Sequence, residues 1–222
     1  MTAQKNVRTF AIILLFTIVA AGSWASRRVE PTLPGLLVEG EWVAANLDHE
    51  NVVILDTGRS MDDYLAGHVP NAVYFDRSIY YGEVNGIPGM FTGVDPVGAA
   101  LRDAGVNDDS IVILYDSGSG LWATRLFWTL ELLGHEHAAV LNGGSGKWAD
   151  DQRLSSMTAR VAKPGNFSAY LRPELVVDGE GLDSEIDSFT VIDARSSAEY
   201  EGSDVRAARG GIFPGLSTWT GC

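Results

Sequence analysis

Covalent catalysis needs a nucleophile with something beside it to activate it, and this chain offers few candidates. The chain has one thiol, Cys222, and four histidines, among them His68, His135 and His137, side chains that can attack or relay a proton near neutral pH. Cys222 follows Trp219, Thr220 and Gly221, with neither a helix nor a glycine-rich cradle behind it to stabilise a thiolate, so it reads as an incidental thiol. His68 lies in Gly67-His68-Val69-Pro70, where a turn leads to the strand Ala72-Val73-Tyr74-Phe75, and its ring is expected to fix that turn by hydrogen bonding to backbone. His135 and His137 flank Glu136, so in a strand their rings would face opposite ways; no other His or Cys grouping has ligand spacing, and no metal is expected. Gly143-Gly144 followed by Trp148 lacks the spacing of a nucleotide loop and reads as a tight turn capped by an aromatic, so no cofactor is expected either. A Cys-x5-Arg phosphatase loop is absent.

The elements that must position these residues follow from the apolar runs. The chain is 45% hydrophobic and 20% charged, the balance of a globular protein. Asn51-Val52-Val53-Ile54-Leu55, Ser110-Ile111-Val112-Ile113-Leu114-Tyr115 and Ala138-Ala139-Val140-Leu141 are continuous apolar runs, as in strands covered on both faces. Gly40 to Leu47 suits a short helix, and Leu121 to Leu133 carries apolar residues at helical spacing with Gly134 as a stop. Trp122, Phe127 and Trp128 on that spacing are expected to pack into the core. Buried strands alternating with helices predict a parallel α/β sheet. The net charge of −13 argues against nucleic acid as a partner and repels anionic substrates unless local arginines overturn that field.

Residues 1–25 read as an export signal: Lys5 and Arg8 precede an apolar run from Phe10 to Gly22 and the small-residue site Ser23-Trp24-Ala25. An uncleaved N-terminal anchor is the alternative, and the expected location is periplasmic or secreted. Residues 26–35 form a proline-bearing linker.

An internal repeat organises the rest. Val53-Ile54-Leu55-Asp56-Thr57-Gly58-Arg59-Ser60, then Tyr64 and Gly67-His68-Val69-Pro70-Asn71-Ala72, is echoed by Val191-Ile192-Asp193-Ala194-Arg195-Ser196, then Tyr200 and Gly211-Ile212-Phe213-Pro214-Gly215. The second copy carries a short insertion, Ser203 to Arg209. Asp150 to Pro173 is polar and holds Pro164-Gly165, as in a connection between domains. The divisions drawn are residues 36–160 and 161–222.

These motifs, in this order, with Tyr115-Asp116 through Arg125 and Asn142-Gly143-Gly144 with Trp148, resemble the tandem rhodaneses, the thiosulfate and 3-mercaptopyruvate sulfurtransferases. The resemblance implies an α/β fold with a rhodanese-like parallel sheet flanked by helices, one complete domain plus an incomplete second copy. It implies that a Cys, in a loop between a central strand and a helix, takes sulfane sulfur from a small anionic donor as a persulfide and passes it to a thiophilic acceptor such as cyanide. Asp116 matches the Cys position in the first copy; there a carboxylate cannot hold sulfur, and it is expected to cap the helix and anchor the loop on backbone amides. Arg195 matches an arginine that helps bind the anionic substrate, with an ion pair to Asp193 or Glu199 as its structural alternative. The corresponding loop of the second copy should fall about 60 residues past Asp193, beyond Cys222. So no catalytic residue is assigned, the chain is expected to be truncated and inactive alone, and order is expected to fail after about Pro173. A catalytically dead rhodanese module acting as a binding or scaffold domain is the alternative. Intact mass of the exported protein should show loss of residues 1–25; a mass retaining Met1 would favour the anchor.

Overall fold

The computed structural model describes residues 30–188, 190–205 and 217–218. The signal segment 1–25, Arg209 and Cys222 lie outside the described residues. In chain order the elements are β1 (Leu37–Val38), α1 (Gly40–Asn46), β2 (Val52–Thr57), α2 (Met61–Ala66), β3 (Ala72–Phe75), β4 (Gly82–Val84), β5 (Ile87–Met90), α3 (Val94–Asp103), β6 (Ile111–Tyr115), α4 (Leu121–Leu132), β7 (Ala138–Leu141), α5 (Gly144–Asp150), α6 (Gly179–Glu185), β8 (Ile192–Asp193), α7 (Ser197–Tyr200) and β9 (Ser217–Thr218). Among the described residues no helix is long and apolar enough to cross a membrane.

The apolar runs become a five-stranded, all-parallel sheet in the order β1-β7-β6-β2-β3. Every residue of β2, β6 and β7 is buried, because helices cover both faces. Alternation then sorts the side chains. Val53, Leu55, Val112, Leu114 and Val140 join Leu101, Leu126 and Leu130 of α3 and α4, while Val52, Ile54, Ile111, Ile113 and Leu141 join Val43 and Trp148 of α1 and α5. The antiparallel pair β4–β5 stands apart from this sheet.

Residues 153–172 are not a free linker. Ser156 and His68 exchange backbone hydrogen bonds of 2.9 Å, Gly165 N donates to Arg102 O at 2.8 Å, Phe167 N to Val106 O at 3.1 Å, and Arg172 N to Leu132 O at 2.8 Å. Phe167 is buried in the α3–α4 core. A Cβ at Gly165 would come within 2.1 Å of Val106 O, so this close approach of two backbones requires glycine. The segment is a strap across α3, α4 and their flanking turns, and residue 160, where the sequence division was drawn, lies within it.

Past Pro173 the described residues form α6, β8, α7 and β9. Local caps supply what burial does not. Asp178 accepts from Gly181 N, and Ser196 and Glu199 form a reciprocal capping box, yet α6 and α7 bury no residue.

One polar network ties β2 to β6. Asp56 Oδ2 accepts from Tyr115 O–H at 2.8 Å and from Arg59 Nη1 at 3.0 Å, and Tyr115 Oη accepts from Val69 N at 3.2 Å. Among the described residues Asp56 Oδ1 has no partner. Burial outweighs Arg59 and pushes the Asp56 carboxyl up to about 6 from 3.8, helped by the charge of Asp116. The folded state therefore binds this proton more tightly than the unfolded chain, and the group's contribution to stability grows as pH falls between those two values. From about pH 7 to about pH 5 the wild type should gain about 1 kcal/mol relative to Asp56→Asn, read as the pH dependence of the two denaturation midpoints. Parallel pH profiles would contradict it.

Candidate active-site loop

Parallel strands leave their functional loops at their C-terminal ends, and here β6 hands the chain to α4 through Asp116, Ser117, Gly118, Ser119 and Gly120. The turn is tight enough that Gly118 and Gly120 take φ of 134° and 76°, values that favour glycine. Asp116 is buried and its carboxylate sits at the focus of the loop. Oδ1 accepts from Gly118 N at 2.8 Å and Gly120 N at 3.0 Å; Oδ2 accepts from Trp122 N at 3.0 Å, Ala123 N at 3.4 Å and Ser119 Oγ at 3.4 Å. Four backbone amides thus converge on one anion at the positive end of a 12-residue helix.

The sequence expectation for Asp116 holds in its chemistry and shifts in its detail. The residue at the cap position is Gly120, which has no side chain to offer. Asp116, four positions earlier, reaches the amides of the second and third helical residues that a cap would satisfy. A second turn closes the seat from the side. Ser145 N donates to Asp116 O at 2.9 Å and Gly146 N to Ser117 O at 3.2 Å. A Cβ on Gly144 would lie 2.5 Å from Asp116 O, so Gly143-Gly144 is less a turn capped by an aromatic than the close-packed start of α5. A cavity of about 210 Å³ remains between the two turns, lined by Leu37, Asp116, Gly118, Asn142 and Gly144 among others.

Neither His68 nor Arg195 is a partner of Asp116. His68 Nδ1 lies 2.7 Å from Tyr64 O and its ring stacks on that of Tyr64 at 3.8 Å, the turn-fixing role expected. The guanidinium of Arg195 binds the Asp193 carboxylate, Nη2 to Oδ2 at 2.6 Å and Nε to Oδ1 at 3.0 Å, and holds that carboxyl below its ordinary range. His135 and His137 do not face opposite ways across a strand; they precede β7 with ring centroids 6.5 Å apart, and His135 is buried edge-on against Phe167.

Trp122 and Trp128 are not core residues as the helical spacing suggested. Arg77 lies over the Trp122 ring at 4.5 Å, and Arg125 lies over Trp128 at 4.9 Å and over Tyr81 at 5.5 Å. The core side of α4 is built from Ala123, Leu126 and Leu130 instead. This row of cations and rings went unrecognised in the sequence, although Trp122, Arg125 and Trp128 stand three apart and so share a helix face.

Comparison with known proteins accords with this geometry. The model of the rhodanese-like domain matches residues 39–151. The 3-mercaptopyruvate sulfurtransferase of Escherichia coli (strain K12) is 31% identical over 189 residues, covering 80% of this chain and 67% of that protein. The thiosulfate sulfurtransferase of Pseudomonas aeruginosa is 29% identical over 190 residues, covering 83% of this chain and 69% of its own. The crystal structure of the 3-mercaptopyruvate sulfotransferase SseA from Escherichia coli superposes with a TM-score of 0.73 at 30% identity, covering 82% of this chain and 74% of that one. With a parallel sheet flanked by helices, an amide-lined loop after a central strand and this degree of identity, the chain belongs to the rhodanese-like sulfurtransferase family.

Proposed function

We propose that this chain is the N-terminal portion of an exported, tandem rhodanese-type sulfurtransferase, and that its first unit holds a carboxylate where the working unit holds a cysteine. The observation that carries this is the ring of four amides on Asp116. In the proposed reaction a thiolate in such a ring attacks the outer sulfur of thiosulfate or the sulfur of 3-mercaptopyruvate. The donor's bond to that sulfur breaks, sulfite or pyruvate departs, and the persulfide delivers its outer sulfur to cyanide or another thiol. Asp116 has no sulfur to offer and keeps the seat negative, so it also repels an anionic donor.

The residues past the strap, 173–222, are proposed to begin the second copy. Supporting this, β8 and β9 pair in parallel as β2 and β3 do, and Ser196 caps α7 as Ser60 caps α2. Tyr64 and Tyr200 stand at the same step past their caps. Asp56 faces Tyr74 and Asp193 faces Thr218, so the second connection is 7 residues longer, the length of the insertion Ser203 to Arg209. Arg195 is then the candidate for holding an anionic donor, released from Asp193 when that donor arrives.

The polypeptide alone should show no thiosulfate:cyanide sulfurtransferase activity above background; turnover abolished by Cys222→Ser would overturn the proposal. The second reading, a dead module used for binding, rests on Asp116 itself, which suits a unit with no chemistry. A Cys loop encoded downstream of codon 222 separates the two. If Asp116 is the resident anion of the loop, Asp116→Asn should cost about 2–4 kcal/mol in denaturant unfolding, because an NH₂ would then confront amide donors. Asp178→Asn, at an exposed cap, should cost less than about 1 kcal/mol. Equal costs would remove the special standing of Asp116.

A further inference from the structure

Further along α4, Arg125 is held by aromatic rings and not by acids. Its guanidinium lies over the Trp128 ring at 4.9 Å and the Tyr81 ring at 5.5 Å, and Nη2 donates to Gly89 O at 3.1 Å. Its Nε is buried without an acceptor, and no carboxylate among the described residues pairs with it. Acids are not scarce in a chain of net charge −13, and Arg59, Arg153, Arg172 and Arg195 each have one. The arrangement fixes a cation in place while leaving its charge unspent.

A cavity of about 500 Å³ opens beside this guanidinium. Met90, Phe91, Trp128, Leu132, Leu171 and Val176 supply its walls, and Met90, Leu171 and Val176 are about half exposed. Its size lies within the range of about 300–1,000 Å³ that small ligands fill. Asp178 also lines it, and that negative charge favours a pose in which an anionic head faces Arg125. A small inorganic anion would gain nothing from these apolar walls, and a neutral apolar molecule would desolvate the guanidinium without offering its charge a counter-charge.

We propose that this cavity binds a small organic acid with an apolar body, its anionic group on Arg125 and its apolar part against Met90, Leu171 and Val176. The site is separate from the Asp116 loop and does not depend on sulfur transfer by this chain. The test is calorimetric titration of the full chain with 3-phenylpropionate, compared with 3-phenyl-1-propanol and thiosulfate. Saturable binding is expected for the acid, at least about tenfold weaker for the alcohol and for thiosulfate, and at least about tenfold weaker for the acid with Arg125→Gln. Because Arg125→Gln also removes the contact to Gly89, Val176→Asp is the second variant. It sets a like charge in the wall at a half-exposed position and should weaken the acid to the same extent while the melting temperature holds. Equal binding of acid and alcohol, unchanged binding by Val176→Asp, or no saturable binding of the acid each overturns the proposal. An inactive chain that binds the acid leaves both readings standing, an inactive chain that fails to bind it sinks only this one, and an active chain that binds it sinks only the proposed function.

Discussion

Four backbone N–H groups at the junction of β6 and α4 have no carbonyl to meet, because the chain turns there from a strand ladder into the unpaired first turn of a helix. In water that would matter little. Here the Asp116 side chain is almost wholly buried and the donors run from exposed Gly118 to buried Ala123, so an unpaired donor costs about 1–3 kcal/mol at the buried end and less at the rim, and an acceptor at the focus stabilises this shape. The Asp116 carboxylate is that acceptor. The rest follows from it: two glycines bend the backbone so that the amides point inward, and Gly144 lets α5 begin against the loop. Asn142 then anchors the neighbouring turn through Glu39, its Nδ2 donating at 2.7 Å.

A single buried anion is felt one strand away. Asp56 is paired in register with Tyr115, the residue before Asp116, so two carboxylates stand at the ends of adjacent strands in the same interior. They are satisfied differently. Asp116 is surrounded by amide donors, whereas Asp56 has one oxygen shared by Tyr115 and Arg59 and the other with no partner among the described residues. Asp56 therefore bears more of the cost of burial, and repulsion by Asp116 adds to it. The same geometry that suits an anion in the loop obliges its neighbour to hold its proton more tightly.

Much of this was legible in the sequence where side chains carry the signal. Ala72 to Phe75 and Ala138 to Leu141 are strands with the bounds read from their apolar runs, and Leu121 to Leu132 is the helix its spacing implied. What escaped was written in backbone. The strap from Arg153 to Arg172 looks polar because its side chains face water, while its N–H and C=O groups pair with α2, α3 and α4 residues or their flanks; only Gly165 and buried Phe167 betray it. The β4–β5 pair and α3 were missed because Gly and Pro interrupt both, and tertiary packing overrides that local signal. At the loop, the type and position of Asp116 were readable, but not that it would act from four residues ahead of the helix, since that depends on the φ of Gly118 and Gly120.

The two ways this chain handles arginine bear on how an acidic protein can still meet anions. Arg195 is closed on Asp193 by short hydrogen bonds, so an incoming anion must first compete with a carboxylate that is already in place. Arg125 rests on ring faces, which orient a guanidinium without neutralising it. A ring is displaced by nothing and screens little, so positive charge held this way survives in a field that is negative overall. Net charge sets the long-range repulsion, and at contact distance the partner of each cation decides whether an anion finds a vacancy.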